Sequence, residues 1–204
     1  PSVGVAFAMY DLVVAIEPLA PNFVGVKYTG LYTNPGFMDA MRIMAYQGGK
    51  FEVLSGREEM MLEALSVGIR GHVGSQFNYA GDLYNELRTG YEREGLTATS
   101  QARLRGLQLT SIELVHAWLD AAPTGVNGAK AFANYVGLPV GSARLPSLPL
   151  NDAAASALKA AFATFCSATR GDVERATVEA AGGGVVLRAA SAVLQMCNSK
   201  AASR

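Results

Sequence analysis

The amino-acid sequence predicts an α/β chain in which a parallel sheet of about three strands alternates with helices and a helical region follows. Three observations carry this. Short runs rich in valine and aromatic residues alternate with helix-period segments from residue 21 to residue 95. No strand-like run follows Gly95. The segments beyond it, QARLRGLQLTSIELVHAWLDA and NDAAASALKAAFATFCSA among them, repeat apolar residues at helical spacing. Strands that alternate with helices pair in parallel, in a doubly wound sheet or a barrel. Three strands close neither.

Each element has its own signal. Phe7, Tyr10, Leu12, Val13, Val14 and Ile16 predict a buried helix over residues 6–19. PNFVGVKYTG, bounded by Pro21 and Gly30, reads as the first strand, over residues 23–29. Asn34 before Pro35 is a helix start, a cap followed by proline at the first helical position. Phe37, Met41 and Met44 continue that helix, and Gly48 with Gly49 stop it. FEVLSG is the second strand, and EEMMLEALSVG a helix with acids in its first turn and Gly68 at its end. IRGHVGS is the third strand, and FNYAGDLYNELRTGYEREG the helix after it. QARLRGLQLTSIELVHAWLDA, GAKAFANYVG and NDAAASALKAAFATFCSA follow as helices, the last opening on Asn151 as its cap. The expected organisation is a sheet-bearing part over 1–96, a helical region over 97–170 and an Ala/Gly-rich tail over 171–204. Within that tail, GGGVVLRAASAVLQM offers one more helix before a frayed end.

Composition narrows the class of function. The 204 residues are 50% hydrophobic, enough for a packed core and unlike a disordered or fibrous chain. Lys and Arg number 17, and so do Asp and Glu, so there is no basic field for nucleic acid or for a membrane surface. No apolar run reaches the roughly 20 residues that span a bilayer. The opening PSVGVAFAMYDLVVAIEPLA has no basic region or cleavage site, so no signal peptide is expected. Cys166 and Cys197 form no framework and no metal-ligand spacing, and are expected as reduced thiols in a cytoplasmic protein. His72 and His116 lack the spacing of a metal site or a triad, and each reads better as a satisfied or solvated histidine. His116 and Trp118 are expected to pack inside their helix.

Chemistry is expected at the C-terminal ends of the strands, where α/β folds hold their ligands. Alternation puts Phe23, Gly25, Lys27 and Thr29 on one face of the first strand and Val24, Val26 and Tyr28 on the other. A lysine after FVGV is unusual. Taken alone, it is ordinarily a side chain that extends from the strand end into water. The functional alternative is a desolvated amine with a lowered pKa, able to attack a ketone and form an imine. The second strand ends in Ser55, Gly56, Arg57, Glu58 and Glu59, and the third in Gly74, Ser75, Gln76, Phe77 and Asn78. Each ending also reads as a helix start with favourable acids or a polar cap. Together they gather an amine, hydroxyls and carboxylates, a set suited to a polyhydroxylated substrate.

FVGVKYT, LSGREEMMLEAL, GHVGSQFNYAG and GLPVGSARLPSLPL, in this order, resemble the second half of the N-acetylneuraminate lyases. These belong to a superfamily of Schiff-base, pyruvate-handling (β/α)8 TIM barrels that includes the dihydrodipicolinate synthases. The resemblance covers about residues 1–150, and it implies the C-terminal part of such a barrel followed by helices. Thr29, two positions after Lys27, and the VGSQFN segment favour the lyase branch over the synthase branch. By resemblance Lys27 matches the imine-forming lysine, and Thr29 lies beside the substrate. Gly56, Glu58 and Glu59 match a G-x-D-E segment that binds sugar hydroxyls, and Ser75 a serine at the glycerol-like end. Two positions depart from the pattern: Glu58 stands where aspartate is usual, and Arg57 where an apolar or aromatic residue is common.

The implied reaction is the cleavage of a sialic acid to pyruvate and N-acetylmannosamine, with no organic cofactor and no metal. The implied partners are a small keto or sugar acid and further copies of the chain in a homotetramer. The family's catalytic tyrosine falls just before the position of Pro1, and its carboxylate-binding turn further upstream, so the chain is expected to be the later part of a barrel. Two alternatives stand beside this reading. One is another pyruvate-dependent Schiff-base lyase or synthase, like dihydrodipicolinate synthase. The other is a non-catalytic half-barrel that serves as an interaction piece.

Overall fold

The computed structural model describes residues 7–30, 36–119, 125–179 and 193–198. The chain forms two compact units, Pro1–Gly74 and Ser75–Arg204.

The first unit runs α1 (Met9–Ile16), β1 (Gly25–Tyr28), α2 (Gly36–Ala45), β2 (Glu52–Ser55), α3 (Met61–Ser66) and β3 (Gly71–His72). Single 3-10 turns, Tyr46–Gly48 and Glu58–Met60, follow α2 and precede α3. The strands make one parallel sheet in the order β1-β2-β3, with Lys27 opposite Leu54 and Ser55 opposite His72. All three expected strands are present, and each is shorter than its apolar run. Tyr28 and Val53 turn one face of the sheet onto Ala40 and Ile43 of α2, with Val13 of α1, Phe51, Ala64 and Ile69 completing the core. Phe23 was expected on the face of Lys27. It packs instead against this core, its ring 5.4 Å from that of Phe51. Phe23 lies ahead of the paired residues, so the alternation of the strand does not reach it.

Two details fix the helices. Gly68 has a φ of 93°, and Ile69 N–H donates to the Ala64 carbonyl, which ends α3 where a side chain would be strained. The Asp39 carboxylate is fully buried. It accepts from Tyr10 N–H at 3.2 Å, in the first turn of α1, and from Arg42 at 3.4 Å. The Arg42 guanidinium lies 3.7 Å above the Tyr10 ring, so charge, helix terminus and ring join α1 to α2. The expected cap at Asn34 and Pro35 lies outside the described residues.

The second unit is helical: α4 (Phe77–Glu94), α5 (Gln101–Leu119), α6 (Val126–Tyr135) and α7 (Asp152–Glu179), with a further helical turn over 193–198. α4 is interrupted at Ala80, whose φ of −128° is not helical. α5 packs against α4, α6 and α7. Arg103 of α5 bridges Glu86 and Glu94 of α4 at 2.9 and 2.8 Å. The edge of Phe132 meets Phe162 at 5.1 Å between α6 and α7. Asn151 caps α7 as expected, its Oδ1 accepting from Ala154 N–H at 2.9 Å. The helix then continues to Glu179, into the Ala/Gly-rich stretch. Most of the GGGVVLRAASAVLQM segment lies outside the described residues, and its end belongs to the turn at 193–198.

Two expectations for this unit are corrected. Cys166 and Cys197 are joined by a disulfide, both buried, with their Cα atoms 5.6 Å apart. The pairing depends on how the 193–198 turn meets α7, and a separation of 31 residues carries no signal of it. Trp118 is buried as expected, but His116 is exposed, because it falls on the outer side of α5.

Candidate active site

The sheet has two different faces. Tyr28, Val53 and Ser55 are buried on the helix side, while Lys27 and Glu52 are exposed on the other. Leu54 lies across Gly71 on this second face, where a β-carbon on the glycine would strike its side chain. Lys27 therefore points away from the helices, as the alternation predicts, from near the C-terminal end of β1. Among the described residues Lys27 is exposed on that face.

The ends of β1 and β2 converge on Gly56. A β-carbon there would lie 2.9 Å from Cε of Lys27 and closer still to the Thr29 methyl, so both side chains rest directly on the glycine. Gly56 N–H donates to the Tyr28 carbonyl at 3.0 Å, continuing the sheet beyond its last paired residues. Arg57 then reaches back across the rim. Its Nε donates to the Thr29 carbonyl at 3.1 Å and its Nη1 to the Glu59 carboxylate at 3.3 Å. Ser55, wholly buried, accepts from Arg57 N–H at 3.3 Å. Glu58 is buried, its carboxylate against Gly74 in the turn after β3.

Lys27, Thr29, Gly56, Glu58 and Glu59 are thus gathered on the strand ends of the first unit. Ser75 is the first residue of the second unit, and its carbonyl accepts from the Asn78 side chain at 2.8 Å ahead of α4. Next to it, Gln76 is fully buried with Tyr84 and Ser111, and the Ser111 hydroxyl donates to Tyr84 Oη at 3.0 Å. The sequence marks Arg57 as a cation where the family pattern has an apolar or aromatic residue, which bears on the sugar preference, and does not place it on Thr29. Its contact with Thr29 spans 28 residues, and no local spacing announces it.

An amine, a hydroxyl and two carboxylates at one sheet rim can hold a carbonyl compound with several hydroxyl groups. The chain matches the dihydrodipicolinate synthetase family over residues 12–164. It is 34% identical over 148 residues to an N-acetylneuraminate lyase of Danio rerio, covering 72% of this chain and 45% of that protein. Among solved structures, an N-acetylneuraminate lyase of Proteus mirabilis has a TM-score of 0.65 at 24% identity, covering 79% of this chain and 51% of the other. A dihydrodipicolinate synthase of Bacillus anthracis has a TM-score of 0.59 at 26% identity, covering 74% and 48%. The chain spans about half the length of the relatives it matches. Its three strand–helix units are accordingly part of a (β/α)8 barrel with a helical region after it. With the match extending over most of its residues, the chain belongs to the dihydrodipicolinate synthetase family.

Proposed function

We propose that this chain carries the imine-forming lysine of a class I aldolase that cleaves a sialic acid to pyruvate and N-acetylmannosamine. The observation that supports it is Lys27 on the sheet face away from the helices, its stem on Gly56 beside Thr29. The Lys27 amine attacks the C2 ketone and water leaves, forming a protonated imine. As the C4 hydroxyl gives up its proton, the C3–C4 bond breaks and its electrons pass to the imine nitrogen. The sugar aldehyde departs, C3 of the enamine takes a proton, and hydrolysis returns the amine and pyruvate. The proton moves by general acid-base transfer, the role that the family resemblance gives to a tyrosine. Gly56, Glu58 and Glu59 receive the hydroxylated end of the sugar, the resemblance assigns Ser75 to its glycerol-like end, and Thr29 lies beside the imine. The reading includes a homotetramer, which rests on the family resemblance, and a cytoplasmic location, against which the Cys166–Cys197 disulfide counts.

The full-length enzyme incubated with pyruvate and borohydride is expected to carry a covalent adduct on Lys27. Lys27→Arg removes adduct and turnover together, because a guanidinium keeps its charge and forms no imine. Glu59→Gln and Ser75→Ala raise KM for the sugar acid and leave the pyruvate adduct intact. An adduct on Lys50 or Lys130, or an active Lys27→Arg enzyme, overturns the mechanism. The match to a synthase family favours a second reading, in which the same imine condenses pyruvate with a different aldehyde. An enzyme that forms the adduct but does not cleave N-acetylneuraminate decides for that one.

A further inference from the structure

Arg57 occupies a position between two groups assigned to the substrate. Its backbone is held by buried Ser55, whose hydroxyl accepts from Arg57 N–H and donates to the Arg57 carbonyl at 3.4 Å. Its head is held by the opposite strand end, through the Thr29 carbonyl. Between these anchors the guanidinium meets Glu59, two residues on, and both side chains are partly buried, 32% and 22% exposed. The planar fork of arginine suits this, since one rigid group bonds a carbonyl and a carboxylate in fixed directions. Without it, the Glu59 carboxylate sits on a 3-10 turn with free side-chain torsions and a second acid, Glu58, next in sequence.

We infer that Arg57 is a specificity-determining positioning residue that acts through Glu59. It fixes the direction of the carboxylate toward the sugar hydroxyls and offsets one of two negative charges at a rim that must admit an anionic sugar acid. This rests on the proposed role of Glu59 and adds the residue that sets it. The chemical consequence is a preference for polyhydroxylated acids over pyruvate-sized ligands, because only the longer substrate reaches Glu59.

The test compares Arg57→Leu, Glu59→Gln and the double variant of the full-length enzyme, with N-acetylneuraminate cleavage and pyruvate trapping by borohydride as separate readouts. Arg57→Leu is expected to raise KM for N-acetylneuraminate about tenfold, with kcat and the pyruvate adduct little changed. In the Glu59→Gln background the same substitution is expected to add nothing, since its partner is already neutral. Arg57→Lys, which keeps the charge but not the fork, should fall between the two, and it serves in place of a leucine variant that does not fold. Additive effects of the two single changes, or an unchanged KM, overturn the inference while leaving the aldolase reading intact. Failure of pyruvate to form an adduct with Lys27 in the unsubstituted enzyme overturns both.

Discussion

A β-carbon at position 56 would meet Lys27 Cε at 2.9 Å and the Thr29 methyl nearer still, so those side chains would have to shift. Gly56→Ala is therefore expected to displace the lysine stem rather than merely crowd the rim. A shift of about 1 Å at a reacting group costs up to about 100-fold in rate. Trapping the pyruvate adduct over time should show adduct formation slowed between about 10- and 100-fold, with an unfolding curve to show that the variant is folded. Tyr28, beside Lys27 in sequence, faces the other way into the core. Burial first, and the negative charge of Asp39 second, hold its phenol above the ordinary tyrosine value. The folded chain thus keeps the phenolic proton more tightly than the unfolded chain. The stability this contributes is complete below pH about 10 and is lost as pH rises through the folded value. Unfolding measured from pH 8 to 11 should lose less stability with pH in Tyr28→Phe, and an identical slope would refute the assignment.

At the scale of elements, the first unit depends on joints between helices as much as on the sheet. Asp39 on α2 meets the first turn of α1 through Tyr10 N–H, and Arg42 compensates its charge. Removing a buried acceptor that serves a helix terminus and a guanidinium costs about 2–3 kcal/mol. Asp39→Ala should accordingly lower the stability of the first unit by that amount, measured by denaturant unfolding with a tryptophan-independent probe such as far-UV circular dichroism. A loss below about 0.5 kcal/mol, the range of an ordinary surface change, would show that the joint does not hold α1. In the second unit the corresponding joint is Arg103, which ties α5 to two acids of α4 where Gly90 lets the helices approach. Sequence periodicity announced these helices. It did not announce the contacts between them, because both joints link residues distant in the chain.

At the scale of the whole molecule, the disulfide and the open sheet face bear on where and in what company the chain works. Cross-linking residues separated by 31 positions limits the unfolded chain by about 3–4 kcal/mol in the loop-entropy picture. Reduction, or Cys166→Ser, is expected to lower the melting temperature and to expose the 193–198 turn to protease first. The cytoplasm keeps such thiols reduced, so alkylation in rapidly quenched cells should label both cysteines if the proposed location is right. A protected pair in those cells would place the protein in an oxidising compartment. No helix among the described residues is long and apolar enough to cross a membrane. Much of this molecule was legible in advance. Alternating runs and helical spacing gave three parallel strands in order, the helical region after Gly95, the stop at Gly68 and the cap at Asn151, because each depends on a local preference of the backbone. The candidate residues were legible too, since strand alternation puts Lys27 and Thr29 on one face and a glycine-acid segment at the next strand end. Tertiary structure alone decided that Phe23 turns into the core, that Lys27 is exposed in this chain, that Arg57 spans from Glu59 to Thr29, and that Cys166 meets Cys197. These are contacts between residues far apart in sequence, fixed by how packed elements approach one another, and no local pattern of residue types encodes that approach.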